Sequence, residues 1–347
     1  MNNLYFKAAV LYKKKRIRIV NLRFPKLKEG QVLIKNHFSG ICHTQLLEYE
    51  GKRGEDKFLP HCLGHEASST VHEVGPLITK VKKNDRVVAS WIKGEGIDTG
   101  GATYEDLDGN LINSGPISVF SEFSVVSENR LYKIPKKLSP LEAVFYGCAI
   151  PTGMGSIKNF LNENENESIC IIGCGGIGSF ATIAASLLKC KDVTVIDTNI
   201  KKLNIPKKLG FKTILLSSET KQKMFYEENK NKFNLVIEST GNIKVMSSAI
   251  IIAKPKVGTL VINGNADFGK QMTIDPIQFN MGKKIVGSWG GNSLLDKDIK
   301  YYFNLSSSLK INISKEFNSF YKLDNIDKAF NDLKTGKVLR PIIKLDF

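Results

Sequence analysis

The sequence predicts an α/β protein in which a doubly wound parallel sheet is joined to a second, β-rich domain. Two observations carry this reading. From Ser168 onward, apolar runs alternate with segments of helical composition, as in a parallel sheet whose crossovers cover both faces. Before that point the chain reads as short strands separated by glycine, proline and charged turns. A length of 347 residues suits two domains of roughly 150 residues each.

The strands AAVLY, RIRIVNL, QVLIKNHFSG and STVHEVG come first. KKKRIR reads as a charged turn leading into an alternating strand, with Ile17 and Ile19 inward between Arg16 and Arg18. Residues 98–116 are rich in glycine, acids and amides, have no helical period, and predict a surface loop or hairpin lobe. LNENENES is polar throughout and predicts an exposed connection. SICIIGCGGIGSFATIAASLLKCKDVTVID then reads as a βαβ unit, and TILL, FNLVIEST, GTLVING and KKIVGSW continue the sheet. After about Gly290 the pattern is helical again, through LLDKDIKYYFNLSSSLK and NIDKAFNDLKTGK, and VLRPIIKLDF closes as a strand.

Fifty basic against 34 acidic residues leave a net charge of +16, which raises the question of a polyanionic partner. Only seven of the basic residues are arginine, and the lysines are scattered, so the forked donors and clustered charge that suit nucleic acid are missing; none is expected as partner. No stretch nears the roughly 18 apolar residues of a membrane helix, and the start lacks the order of a signal peptide. The expectation is a cytoplasmic protein without a membrane partner. The cysteines Cys42, Cys62, Cys148, Cys170, Cys174 and Cys190 include no Cys-x-x-Cys pair, so they read as reduced thiols or metal ligands.

Gly173, Gly175 and Gly178 form G-x-G-x-x-G between a strand and a helix, with Gly176 and Ile177 completing the turn. In that context the glycines allow the tight turn, the approach of a pyrophosphate and close helix–strand packing, and the helix N-terminus favours the anion. This is the Rossmann fingerprint. Asp197 ends the next strand at the spacing from which a carboxylate binds the adenosine ribose hydroxyls, and it argues for NAD over a 2′-phosphorylated cofactor. A glycine turn without a ligand is the plainer alternative, but strand, helix, glycines and acid all agree.

Cys42, His65 and Cys148 fall in or beside the β-rich part. Their separations predict no geometry, and each alone suits a buried small or polar residue. As a set, two thiols and an imidazole are the donors that hold zinc with one position open for substrate.

KAAVLY, GICHT, LGHEAS, VKKNDRVV, FSEFSVV, GCAIPTGMG, the glycine fingerprint and KTGKVLRPII together resemble the zinc-dependent medium-chain alcohol dehydrogenase family, over nearly the whole chain. The resemblance implies a β-rich, GroES-like catalytic domain over 1–149, an NAD-binding Rossmann domain over 150–289, and a return to the catalytic domain over 290–347. It implies Cys42, His65 and Cys148 as zinc ligands and Glu66 as an acid near the metal that helps exchange the fourth ligand. Thr44 becomes the hydroxyl that carries the alcohol proton away. Thr152 faces the nicotinamide, His43 and Arg340 reach the pyrophosphate, and Trp91 walls the substrate pocket. Relatives form dimers or tetramers, so a homodimer or homotetramer is expected.

Three departures from the family pattern stand out. Residues 92–120 hold no cysteine, so one catalytic zinc per chain and no structural zinc is expected. Leu47 stands where some relatives end a proton relay with histidine, and Gln45 where an acid often orients the zinc-bound histidine. The reaction implied is hydride transfer between the carbon of a small-molecule alcohol, polyol or sugar-derived substrate and NAD, with the alkoxide held on zinc in a dry cleft. A zinc-free quinone or enal reductase and a non-enzymatic nucleotide-binding protein are the alternatives.

Overall fold

The computed structural model describes residues 5–162, 167–306, 308–309 and 311–345. The connection expected at LNENENES falls largely on residues 163–166, outside the described residues. The chain divides into two compact units. One comprises Met1–Cys148, Leu294–Phe303 and Asn312–Phe347, the other Ala149–Ser293 and Asn304–Ile311.

The first unit holds two sheets. Arg16–Arg23, Tyr5–Lys13, His61–Cys62, Leu111–Asn113 and Thr103–Glu105 lie in that order in one of them. Ile17 and Ile19 pack on a core of Ala9, Leu11, Phe120 and Phe330 while Arg16 and Arg18 are exposed, the alternation that the sequence pattern requires. The lobe at 98–116 contains an antiparallel pair, Thr103–Glu105 with Leu111–Asn113.

The larger sheet centres on Gln31–Gly40, which pairs antiparallel with Glu66–Val74, Phe123–Ser127 and the late strand Ile342–Lys344. Its registers assemble the site described below. Ser39 opposes Ala67, Glu66 opposes Ser90, and Ile342 opposes Gly40, with the Ile41 N–H donating to the Pro341 carbonyl at 2.9 Å. Residues from four distant stretches of chain, near 42, 65, 91 and 340, therefore meet at one end of this sheet.

The second unit is a six-stranded parallel sheet in the order Lys212–Leu215, Asp192–Asp197, Ser168–Ile172, Leu235–Glu238, Thr259–Ile262 and Lys284–Gly287. The strands Ser168–Ile172 and Leu235–Glu238 are buried along their whole length, as a sheet covered on both faces demands. The edge strands are partly exposed. Strand order reverses between Ser168–Ile172 and Leu235–Glu238, and such a switch point opens a crevice at the carboxyl ends of the strands. No helix among the described residues is long and apolar enough to cross a membrane.

Candidate active site

Cys42 follows the central strand and is the N-cap of the helix His43–Tyr49. His65 directly precedes the strand Glu66–Val74, and Cys148 ends the 3-10 turn Val144–Gly147. Their candidate ligand atoms all lie within 4.8 Å of one another.

The two thiols of this cluster are electrostatically unequal. The hydrogen bond from the Cys148 thiol holds Cys42 well below the usual thiol value against the cost of burial, with Arg340 and His65 adding to the effect. Cys148, as the donor in that bond and itself buried, is pushed well above it. The pair thus biases one sulfur toward the thiolate, the form that ligates metals, and the other toward the thiol. His65 Nε2 is buried without a hydrogen-bond partner among the described residues, while Nδ1 is held by the Gln45 side chain. An imidazole nitrogen with no partner beside two sulfurs fits a tetrahedral zinc site with three protein ligands.

The surroundings hold these groups in place. Gln45 Oε1 accepts from the Cys42 N–H at 3.0 Å and its Nε2 reaches His65, so one amide spans two of the three candidate ligands. Thr44 Oγ1 lies 3.8 Å from the Cys42 sulfur. Trp91, just past the strand Arg86–Ser90, donates its backbone N–H to the His65 carbonyl at 3.1 Å, and its side chain lies 6.2 Å from the imidazole between ring centroids. Glu66 is fully buried, accepts a hydrogen bond from Arg340 Nε at 2.7 Å, and forms an ion pair with the same guanidinium, its Nη2 lying 2.5 Å away. Burial raises the Glu66 carboxyl although Arg340 works against it. Burial likewise disfavours the Arg340 charge, but Glu66 and the two sulfurs outweigh that and keep the guanidinium cationic.

In the second unit the fingerprint loop joins the strand Ser168–Ile172 to the helix Gly176–Leu187. Gly173 has φ +86°, and a Cβ on Gly178 would stand 1.9 Å from the Gly173 carbonyl oxygen, so both positions exclude side chains. Nothing lies within 4 Å of a Cβ built on Gly175, which leaves that flank open for a phosphate. Asp197 accepts from the Cys174 N–H at 2.7 Å and from the Asn199 N–H at 2.8 Å, tying the loop to the neighbouring strand end. Its oxygens retain lone pairs for further donors. Thr152 lies in the helix Ala149–Lys158, and its Oγ1 is buried without a partner among the described residues.

Residues 28–136 match the model of the alcohol dehydrogenase GroES-like domain, and residues 176–308 that of the zinc-binding dehydrogenase, together more than half of the chain. The chain belongs to the zinc-dependent medium-chain alcohol dehydrogenase family. It is similar to the S-(hydroxymethyl)glutathione dehydrogenase of Photobacterium damsela subsp. piscicida, at 29% identity over 94% of this chain and 96% of the relative. The enzyme of the same description from Escherichia coli is 27% identical over 95% and 96%. Among solved structures, benzyl alcohol dehydrogenase from Acinetobacter calcoaceticus superposes with a TM-score of 0.84 at 25% identity, covering 99% of both chains.

As a medium-chain alcohol dehydrogenase, the chain is an oxidoreductase that uses zinc and NAD. Seven of the residues singled out from the sequence, Cys42, Thr44, His65, Glu66, Trp91, Cys148 and Arg340, lie in the first unit, and all are tied to the ligand cluster by the contacts above. His43 is in the same unit, exposed at the first turn of its helix. Thr152, Gly173, Gly175, Gly176, Ile177, Gly178 and Asp197 lie in the second. Sequence reasoning missed the pairing of Glu66 with Arg340, 274 positions apart, for which no local pattern exists.

Proposed function

We propose that this alcohol dehydrogenase oxidises a primary or secondary alcohol, or reduces the matching carbonyl, with Cys42, His65 and Cys148 as the ligands of a single catalytic zinc. The observation that carries the reading is the convergence of two thiols and an otherwise unpartnered imidazole nitrogen within 4.8 Å. The first unit is then the catalytic domain and the second the cofactor domain. Zinc in this donor set supplies Lewis acidity, which lowers the pKa of an alcohol hydroxyl and polarises a carbonyl in the reverse direction.

The remaining work falls to the chain's own residues. Oxidation of an alcohol releases one proton for each hydride given to NAD, and the Thr44 hydroxyl beside the Cys42 sulfur is the assigned first carrier of that proton. Leu47 has no proton to exchange, so the path continues through water. Glu66 keeps a carboxylate near the ligands, and Arg340 balances its charge. The role of Arg340 at the cofactor phosphates, like that of His43, rests on family pattern alone. Trp91 walls the substrate side, supported by its ring lying beside His65. The fingerprint loop and Asp197 bind the diphosphate and adenosine ribose of NAD, and Thr152 faces the nicotinamide.

The three named similar proteins suggest S-(hydroxymethyl)glutathione and benzyl alcohol as the first substrates to test. The six cysteines are all free thiols, which supports a reducing, cytoplasmic setting. For assembly we propose a symmetric homo-oligomer through the open edge strand Lys284–Gly287, whose outer backbone groups can pair with the same strand of a second copy. A panel of alcohols, diols and aldehydes followed by nicotinamide absorbance, with metal analysis on the same sample, tests the reading. Turnover with one zinc per chain is expected; turnover that survives complete removal of zinc would point to the zinc-free reductase.

A further inference from the structure

The helix His43–Tyr49 carries one carboxylate, Glu48. Thr44 and Glu48 stand four positions apart on it, the spacing that sets two side chains on the same face with their Cβ atoms about 5–6 Å apart. Thr44 Oγ1 lies toward the candidate zinc ligands, 3.8 Å from the Cys42 sulfur. Glu48 is half-buried, with 27% of its side chain exposed, and its Oε1 accepts from Arg53 Nη1 at 3.0 Å. Burial raises its carboxyl above the ordinary value and Cys42 adds to that, while Arg53, His65 and His61 work against it. The carboxyl thus feels the charges of two candidate ligands and also reaches water. Other charges nearby are engaged elsewhere. His61 Nε2 pairs with Asp56 Oδ2 at 2.7 Å. On the helix Ile326–Lys334, packed against this one, Lys334 pairs with Glu50 at 2.6 Å and Asp327 accepts from the Tyr49 hydroxyl.

Oxidation of an alcohol hands the electron pair of its C–H bond to NAD as hydride, and the hydroxyl proton must still leave the site. Leu47, 3% exposed and without an exchangeable proton, blocks one side of Thr44 as an exit. The next residue offers another.

We infer that the Glu48 carboxylate receives the proton that Thr44 carries and releases it to solvent, supplying the exit that Leu47 cannot. As the alcohol O–H bond breaks, its proton bonds to Thr44 Oγ1. The proton that Thr44 held passes, directly or through one water, to Glu48, which becomes a neutral acid. That acid then gives its proton to a solvent water or a buffer base and returns to the carboxylate. Reduction of a carbonyl runs the same transfers backwards. A carrier works best when its pKa approaches the working pH, and half-burial moves a carboxyl in that direction.

This inference rests on the alcohol-oxidation reading above, and the measurements separate the two. Zinc content, NADH affinity and the single-turnover rate of NADH formation across pH are compared for zinc-loaded wild type, Glu48→Gln, Glu48→Asp and Arg53→Met, using an alcohol that the wild type oxidises. Glu48→Gln is expected to slow NADH formation about a hundredfold near neutral pH, with zinc content and NADH affinity unchanged. Added imidazole, a small base, should restore that rate in proportion to its concentration. The wild-type rate should fall as pH drops through the Glu48 titration, and that limb should vanish in Glu48→Gln. Arg53→Met removes the cation that lowers the carboxyl, so the limb should move to higher pH; this variant and Glu48→Asp keep the test open if Glu48→Gln fails to fold. Infrared difference spectra of wild type minus Glu48→Gln, taken on zinc-loaded enzyme without substrate, should show one carboxyl protonating along the same limb. An unchanged rate in Glu48→Gln, a loss that imidazole does not restore, a loss of zinc from that variant, or no such carboxyl band overturns the assignment of Glu48. A wild type that oxidises no alcohol in the panel overturns the reading on which it rests.

Discussion

Glu66 and Arg340 form a fully buried ion pair beside the candidate zinc ligands, and such a pair is costly to break because the surviving charge cannot reach water. Glu66→Gln is expected to destabilise the folded chain by about 3–5 kcal/mol in urea titrations. A Glu66→Gln, Arg340→Met double variant should recover part of that loss, since no net charge is then stranded. At the ligands, Cys148→Ser is expected to remove zinc and activity together, read by metal analysis and by assay. Full zinc content in that variant would remove Cys148 from the ligand set. Asp197→Ala should erode the preference for NAD over NADP in the ratio of the two kcat/KM values. Its bond to the loop, accepted from the N–H of Cys174, predicts a weaker binding of both cofactors as well.

Lys283 enters the edge strand Lys284–Gly287 and is only 3% exposed, an unusual place for an ammonium group. Its Nζ donates to the Ile250 carbonyl at 3.1 Å, the Ile251 carbonyl at 3.0 Å and Gln278 Oε1 at 2.7 Å, fastening the strand to the turn Ile250–Ile252 and the helix Ile277–Asn280. Burial pushes its pKa down from the ordinary 10.5 to about 8. Below about 8 both folded and unfolded chains hold the proton; between about 8 and 10.5 only the unfolded chain does. Folding stability contributed by this group therefore rises with pH across that window. Lys283→Met should remove the rise, seen as a wild-type minus variant difference in urea midpoints that grows from about pH 8 upward. The variant should also be less stable at neutral pH, because three acceptors lose their donor.

On the scale of the whole molecule, the six apolar runs from Ser168 onward all became strands of one parallel sheet, because continuous apolar runs are what a sheet covered on both faces requires. The proposed pairing through the outer strand predicts that wild type elutes as an oligomer in size exclusion with light scattering. A lysine in place of Val286 on that strand should yield a smaller species. The candidate site was legible in part. The glycine fingerprint and Asp197 are local patterns within one βαβ unit, so sequence spacing describes them well. The contacts of Gln45 with two candidate ligands and the Glu66–Arg340 pair were not legible, for each depends on which strands become neighbours.

The sequence by itself determined the kinds of element, their order, the nucleotide loop and the donor types available for a metal, since these follow from side-chain chemistry and from periodicities of a few residues. Only the tertiary structure decided that Cys42, His65 and Cys148 lie within 4.8 Å, and that a strand near the end of the chain brings Arg340 to Glu66. The reason is physical. Local conformation answers to near neighbours, whereas contact between remote residues answers to sheet order and register, which the whole core selects at once.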